Sequence, residues 1–228
     1  MRYGEIFRKT YGFTQEAHIN LESFLLSMGQ GFADCWKVAS VIPGHLSEAE
    51  AFVLYSLAHE LSSRGPIVEV GCFAGRSTYV LARGAFSSPQ PKVFAIDNFS
   101  KTRSRTFPEV VDPEAEFTEM LRSQNLETVV TLLKGNSSSR LLDFKERTVP
   151  LIFIDGDHSK EQVAIDFDLA LRVALPGGFV VFHDYQNPFV SSDYSMWLQR
   201  NVAEKFPCVV MSETTREGNG LLLLRRPL

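Results

Sequence analysis

The chain has 228 residues, 44% of them hydrophobic, 22% charged and 11% aromatic. That composition excludes wholesale disorder and collagen-like repeats, and the length suffices for one α/β core without disulfides or a structural metal. Lys and Arg number 23 against 27 Asp and Glu, a net charge of −4, which argues against nucleic acid or an anionic membrane surface as the main partner.

The N-terminal stretch carries charges throughout and has no apolar h-region, so no signal peptide is expected. Residues 1–45 read as irregular structure with short helices. Ser47 followed by Glu50 is a capping box opening a helix, whose apolar positions include Phe52, Leu54, Tyr55, Leu57, Ala58 and Leu61. Ser62-Ser63-Arg64-Gly65-Pro66 stops it, since Gly caps and Pro cannot continue.

From there apolar strands and helical patterns alternate. Ile67–Val70 reads as a strand, followed by a glycine turn and a helix over Ser77–Arg83. Lys92–Ile96 is a second strand, Phe99–Pro113 a charged loop, and Glu114–Gln124 a helix. Val129–Lys134 is a third strand, with a short helix around Ser138–Phe144. Leu151–Ile154 is a fourth strand; Lys160–Val173 is a helix ending at Leu175-Pro176-Gly177-Gly178. Phe179–Phe182 is a fifth strand, and a helix spans roughly Asp193–Lys205. Cys208–Ser212 and Leu221–Arg225 flank a turn at Arg216–Gly220. Continuously apolar strands separated by helices predict a doubly wound, mainly parallel sheet covered on both faces. The short last turn predicts an antiparallel hairpin at its C-terminal edge. Cys35, Cys72 and Cys208 are odd in number and form no CxxC pair, which predicts a reduced, cytoplasmic setting. No apolar run approaches the ~20 residues of a membrane span. Eighteen residues are Phe; most are expected in the core, with some free to line a pocket.

Four motifs fall at strand ends. Glu69-Val70-Gly71 through Gly75-Arg76-Ser77 is strand, glycine turn and helix start, which lets backbone N–H groups and the positive helix end approach a ligand. The Gly71-x-x-x-Gly75 spacing differs from G-x-G-x-x-G, and the P-loop Lys is missing. Glu69 inside a strand is costly unless it meets donors or a cationic ligand. Asp97 ends the second strand beside that loop, placed for a two-oxygen grip on a ribose diol, with a turn or cap as the plainer role. Asp155, Asp157 and His158 follow the fourth strand; His183 and Asp184 follow the fifth. Carboxylates with an imidazole nearby suit a divalent metal, with another His free as a general base. Asp157 serves equally well as a helix cap, and packing is the plainer role for His158 and His183.

Together these motifs, with Ile154-Asp155-Gly156-Asp157-His158-Ser159 and Pro176-Gly177-Gly178, resemble class I S-adenosylmethionine-dependent methyltransferases over about residues 47–228. The closer likeness is to the macrocin-type and cephalosporin-pathway O-methyltransferases. The resemblance implies a Rossmann-like seven-stranded sheet. It implies that Gly71 to Gly75 cradles the methionine part of the cofactor, with Glu69 near its ammonium group and Ser77 at the helix start. Asp97 would hold the ribose, Gly135-Asn136-Ser137 would contact adenine, and Asp155 would serve cofactor and metal. Asp155 and the His183-Asp184 pair would hold Mg²⁺ or another divalent metal; His in that pair favours transition metals. His158 takes the position of the general base.

The division expected is an accessory arm, residues 1–46, and a methyltransferase domain, residues 47–228. The arm either covers the acceptor pocket or makes homodimer contacts, through Tyr11, Phe13, Phe24, Phe32 and Trp36. Lys101, Arg103 and Arg105 make the loop after Phe99 a candidate lid. The function implied is methyl transfer to a hydroxyl of a small molecule, a sugar or natural product, with no nucleic acid and no membrane partner. Two alternatives share the glycine turn and Asp97: an NAD-dependent oxidoreductase, and a non-catalytic module that keeps the cofactor pocket.

Overall fold

The structure, a computed structural model, describes residues 31–100, 107, 110, 112–211 and 220–228. Its elements in chain order are helix α1 (Glu48–Leu61), β1 (Ile67–Val70), α2 (Arg76–Ala85), β2 (Val93–Asp97), α3 (Pro113–Ser123), β3 (Val130–Lys134), the short α4 (Ser137–Arg140), β4 (Val149–Ile154), α5 (Lys160–Val173), β5 (Ala174–Phe182), α6 (Ser192–Leu198), β6 (Cys208–Met211) and β7 (Leu221–Arg225). The strands form one sheet in the order β3-β2-β1-β4-β5-β7-β6. β1 to β5 pair in parallel, while β7 runs antiparallel to both β5 and β6. This is the doubly wound, mainly parallel sheet with a C-terminal antiparallel hairpin that the alternating pattern predicts, with the seven strands that the resemblance implies. The strand order reverses between β1 and β4, which opens a crevice at the carboxyl ends of those strands.

The core has two layers. Residues on one side of the pleat, such as Ile67, Phe153, Phe179 and Val181, pack under α1, α2 and α3. Their neighbours Val68, Ile152, Val180 and Phe182 pack under α5 and α6. Because both faces are covered, β4 is buried at all six positions. Gly84 lets α1 and α2 cross closely: a Cβ there would lie 2.4 Å from the Tyr55 carbonyl oxygen.

Three boundaries differ from expectation. β5 begins at Ala174, directly after α5, and carries Pro176-Gly177-Gly178 within it. The register with β4 jumps from Val149↔Ala174 to Leu151↔Phe179, so the residues read as a turn form a bulge in the strand's first half. After α6 the helix widens into a π turn over Gln199–Ala203. The short helix after β3 ends at Arg140 and tightens into a 3₁₀ turn over Leu141–Asp143. Ser47 and Glu50 do form the reciprocal capping box.

The described part of the arm lies against the domain. Residues 31–39 are helical, and Phe32 packs edge-on against Phe52 and Tyr55, at 5.1 and 5.7 Å between centroids. Trp36 stacks on Phe32, so these two rings join the α1 core. Arg76 donates to the carbonyls of Ile42, Leu46 and Ser40, at 2.7, 3.1 and 3.3 Å. Tyr11, Phe13, Phe24, Lys101, Arg103, Arg105 and most of the Arg216–Gly220 turn lie outside the described residues. The three cysteines are free. Among the described residues no helix is long and apolar enough to cross a membrane.

Candidate active site

A cavity of about 430 Å³ opens at the carboxyl ends of the strands, a size within the range of small-molecule sites. Its wall includes Gly71, Ser77, Asp97, Asn136, Ser137, Asp155, His158 and Asp184. Glu69, Gly75 and His183 are not on it.

The first rim is the glycine turn. Gly71 holds φ +84°, and a Cβ there would lie 2.1 Å from the Asp155 carbonyl oxygen. Only glycine lets the ends of β1 and β4 approach so closely. Asp97 clamps the loop from the side. Its Oδ2 accepts from the backbone N–H of Cys72 and Phe73, at 2.9 and 3.0 Å, and its Oδ1 from Phe99, at 2.8 Å. A carboxylate has about four acceptor sites, so one remains for a ligand hydroxyl. Phe73, Phe99 and Asp184, all on the wall, hold φ of 45°, 52° and 58°. Such left-handed side-chain residues concentrate at functional sites. At the β3 end, Asn136 Oδ1 accepts from Asn98 Nδ2 at 2.8 Å.

Two residues of the glycine motif point elsewhere. The pleat turns Glu69 under α2, where it is fully buried and its carboxylate accepts from the Thr78 hydroxyl. Its Oε1 has no partner. Burial outweighs the Ser77 and Thr78 hydroxyls and pushes its pKa up to about 8. It is therefore a buried acid under the helix start, away from the wall where a ligand ammonium would bind. Gly75, at φ +98°, caps α2 and faces away: a Cβ would lie 2.3 Å from Met120 Cε.

The second rim is a cluster of charged side chains. His158 Nε2 lies 3.2 Å from Asp184 Oδ2 and 3.6 Å from Asp155 Oδ1. It is buried, yet it makes no hydrogen bond. Asp155, His158 and Asp184 each offer a ligand atom within 4.8 Å of the others. A buried nitrogen without a hydrogen bond, facing two carboxylates, fits a divalent cation, and an N-and-O donor set favours a transition metal over Mg²⁺. His158 edges onto the buried Tyr194 ring at 4.8 Å, which fixes its plane.

His183, expected among the metal ligands, stands outside that group of three, although its Nδ1 too is buried without a hydrogen bond. It continues the side of the pleat that carries Phe179 and Val181 and is fully buried under α1. There its Nε2 meets Glu50 Oε2 at 3.4 Å, and its Nδ1 lies 3.2 Å from Asp155 Oδ1 and 3.6 Å from Asp184 Oδ1. Burial alone would depress its pKa; the Asp155 and Glu50 charges outweigh it and hold the imidazole well above its ordinary value. Glu50 and Asp155 answer in kind, with burial overcome by His183 and both carboxyls below the usual range. Asp184 is the exception: its burial outweighs the pull of His183, and its carboxyl is raised. Glu50 was legible only as a capping residue, because nothing in its spacing points to His183. Asp157 accepts from the Ser159 N–H at 2.8 Å, while Ser159 itself caps α5.

Residues 68–185 match the family described as methyltransferase domain. Among solved structures, the chain is similar to an O-methyltransferase from Bacillus cereus in complex with SAH. The TM-score is 0.61 at 19% identity, covering 86% of this chain and 90% of that one. It is also similar to the O-methyltransferase TomG from Streptomyces achromogenes, involved in tomaymycin synthesis, in complex with SAM. Here the TM-score is 0.60 at 18% identity, covering 88% and 89%. Uncharacterized protein R132 of Acanthamoeba polyphaga mimivirus is 40% identical over 47 residues, a fifth of either chain. The family match excludes the NAD-dependent oxidoreductase reading. It spans just over half of the sequence, and the chain belongs to the methyltransferase domain family, as an enzyme with the class I S-adenosylmethionine-dependent fold.

Proposed function

We propose that the protein transfers a methyl group from S-adenosylmethionine to a hydroxyl of a small molecule, with sugars and polyol natural products of the macrocin type as the acceptor class. One observation carries this reading: the glycine-loop rim with Asp97 and the rim of Asp155, His158 and Asp184 face one cavity. A donor and an acceptor bound there would meet between the two.

The cofactor supplies an electrophilic methyl group on a sulfonium centre. The protein's part is to hold the acceptor oxygen close, aligned and losing its proton. The Gly71 loop and the α2 N-terminus would bind the cofactor's methionine end, and the remaining acceptor site of Asp97 its ribose. Asp155, His158 and Asp184 would hold a divalent cation, which orients adjacent hydroxyls and lowers their pKa when bound. A second reading rests on the 3.2 Å contact between His158 and Asp184. With no metal between them, Asp184 orients the His158 ring, and the imidazole itself takes the hydroxyl proton.

Calorimetry with S-adenosylhomocysteine tests the cofactor half. Wild type should bind, and Asp97→Ala should weaken binding by about 100-fold, since it removes both a ligand acceptor and the clamp on three backbone N–H groups. No heat with wild type would overturn the reading. Turnover on glycosylated acceptors, with and without chelator, tests the rest. His158→Ala should cost about 10²- to 10⁴-fold on either mechanism. Chelation abolishes activity on the first and spares it on the second. No turnover on any acceptor, with cofactor binding intact, would leave the non-catalytic module.

A further inference from the structure

Asn187 stands in no motif, yet it grips Asp184 at two points. Its backbone N–H donates to the Asp184 carbonyl at 3.2 Å, closing a tight turn in which Gln186 holds φ +67°. Its Nδ2 donates to Asp184 Oδ1 at 2.7 Å, in a buried contact. The amide is locked in this orientation, because its Oδ1 accepts from the Phe189 backbone N–H at 2.9 Å. A backbone N–H only donates, so the edge turned to Asp184 must be the NH₂ group. Helix α6 holds the turn from behind. Ser195 Oγ accepts from the Gln186 N–H at 3.1 Å, and the Tyr194 hydroxyl donates to the His183 carbonyl at 2.7 Å.

The two oxygens of Asp184 are thereby divided. Oδ1 takes the Asn187 amide and also faces His183 Nδ1 at 3.6 Å. Oδ2 lies 3.2 Å from His158 Nε2, the nitrogen that Asp155 Oδ1 approaches at 3.6 Å. A cation held by Asp155, His158 and Asp184 therefore finds one free oxygen on Asp184, not two. That distinction bears on which cation fits. Ca²⁺ gathers about six to eight oxygens and often takes both oxygens of one carboxylate. Transition cations accept imidazole nitrogen and do not depend on such chelation. The second oxygen of Asp184 becomes available only when the Asn187 bond breaks, which strands a buried amide N–H.

We infer that Asn187 is a positioning residue that sets the cation preference of the charged rim. By committing Asp184 Oδ1 it favours a transition cation and disfavours Ca²⁺. The inference rests on the proposed cation site of Asp155, His158 and Asp184.

The test uses Co²⁺ and Ca²⁺ as probes on the full chain, and it reads binding rather than turnover. Calorimetry gives the Co²⁺ affinity. Displacement of bound Co²⁺ by Ca²⁺, followed by the visible Co²⁺ absorption, gives the preference. Wild type should prefer Co²⁺ by about 100-fold or more. Asn187→Leu should weaken Co²⁺ by about 10-fold and leave Ca²⁺ equal or tighter, so the preference falls by about 10-fold or more. Asn187→Asp keeps the acceptor for the Phe189 N–H, and with it the turn, but loses the donor to Asp184; the preference should fall there too. A merely structural role would weaken both cations together in the first variant and spare both in the second. If Asn187→Leu unfolds, as a thermal melt would show, Asn187→Ala takes its place. A wild type that prefers Ca²⁺, or a wild-type preference retained in the variants, overturns the inference while the cation site stands. No binding of Co²⁺ to wild type overturns both and leaves His158 as the base.

Discussion

The two rims of the cavity are built from different materials. The glycine-loop rim is main chain: backbone N–H groups of Cys72, Phe73 and Phe99 gathered on one carboxylate, Asp97. The opposite rim is side chain: Asp155, His158 and Asp184, backed by the buried His183 and Glu50. The first binds by shape and dipoles, and its demands fall on a few positions where only glycine or one acid fits. The second binds by charge, and each member depends on the next. Loss of one group in a backbone cradle leaves the others in place, whereas loss of one buried charge strands its partner.

The largest effect should therefore come from the far end of the charged rim. Glu50→Ala removes the carboxylate that faces His183 Nε2 and leaves a cationic imidazole buried with no counter-charge on that side of the ring. Breaking a buried pair this way costs about 3–5 kcal/mol. Urea denaturation at neutral pH should show it. A loss under 1 kcal/mol would mean that Asp155 alone balances His183, and that the rim ends there.

Glu69 sharpens the contrast from the other side, because it is a second carboxyl behind the backbone-built rim, buried under α2 without the three N–H donors that Asp97 has. Its carboxyl titrates near 8 in the folded chain, against an ordinary 4.5. Between those values the folded state keeps a proton that the unfolded chain has released, so stability falls as pH rises through the window and levels off above it. Glu69→Gln removes this dependence. It should stabilise the protein by on the order of 3 kcal/mol at pH 7, by more at pH 9, and by almost nothing at pH 4. Chemical denaturation at these three pH values measures it. A gain independent of pH would mean that Glu69 is ionised in the fold after all.

The same contrast explains what was legible in the sequence. Gly71, Asp97 and Asp155 sit at strand ends, and their type, spacing and neighbours signal a ligand crevice. The seven strands and the closing hairpin follow from apolar runs and turn residues. Which side of the sheet His183 and Glu69 face does not follow. In a sheet covered on both faces every position is apolar-compatible, so alternation carries no sign. The pairing of Glu50 with His183 joins residues 133 positions apart, and Glu50 already had a local role as a cap. Pro176-Gly177-Gly178 reads as a stop signal, and only the partner strand shows that the chain continues through it as a bulge.

The smallest effect concerns where the two rims meet the arm. Arg76 opens α2 beside the glycine loop and donates to three carbonyls of residues 40–46, and Pro43, Gly44, His45 and Leu46 form part of the cavity wall. A guanidinium's planar fork reaches three acceptors at once; an ammonium does not. Arg76→Lys should cost about 1 kcal/mol, or roughly 2–4 °C in Tm for a chain of this size. It should also raise the acceptor's KM more than it weakens cofactor binding, because the wall it releases adjoins Asp155 and the glycine loop does not depend on it. That outcome would make residues 31–46 a working part of the domain. An unchanged Tm and an unchanged KM would leave the boundary at residue 47, with the cavity complete without the arm.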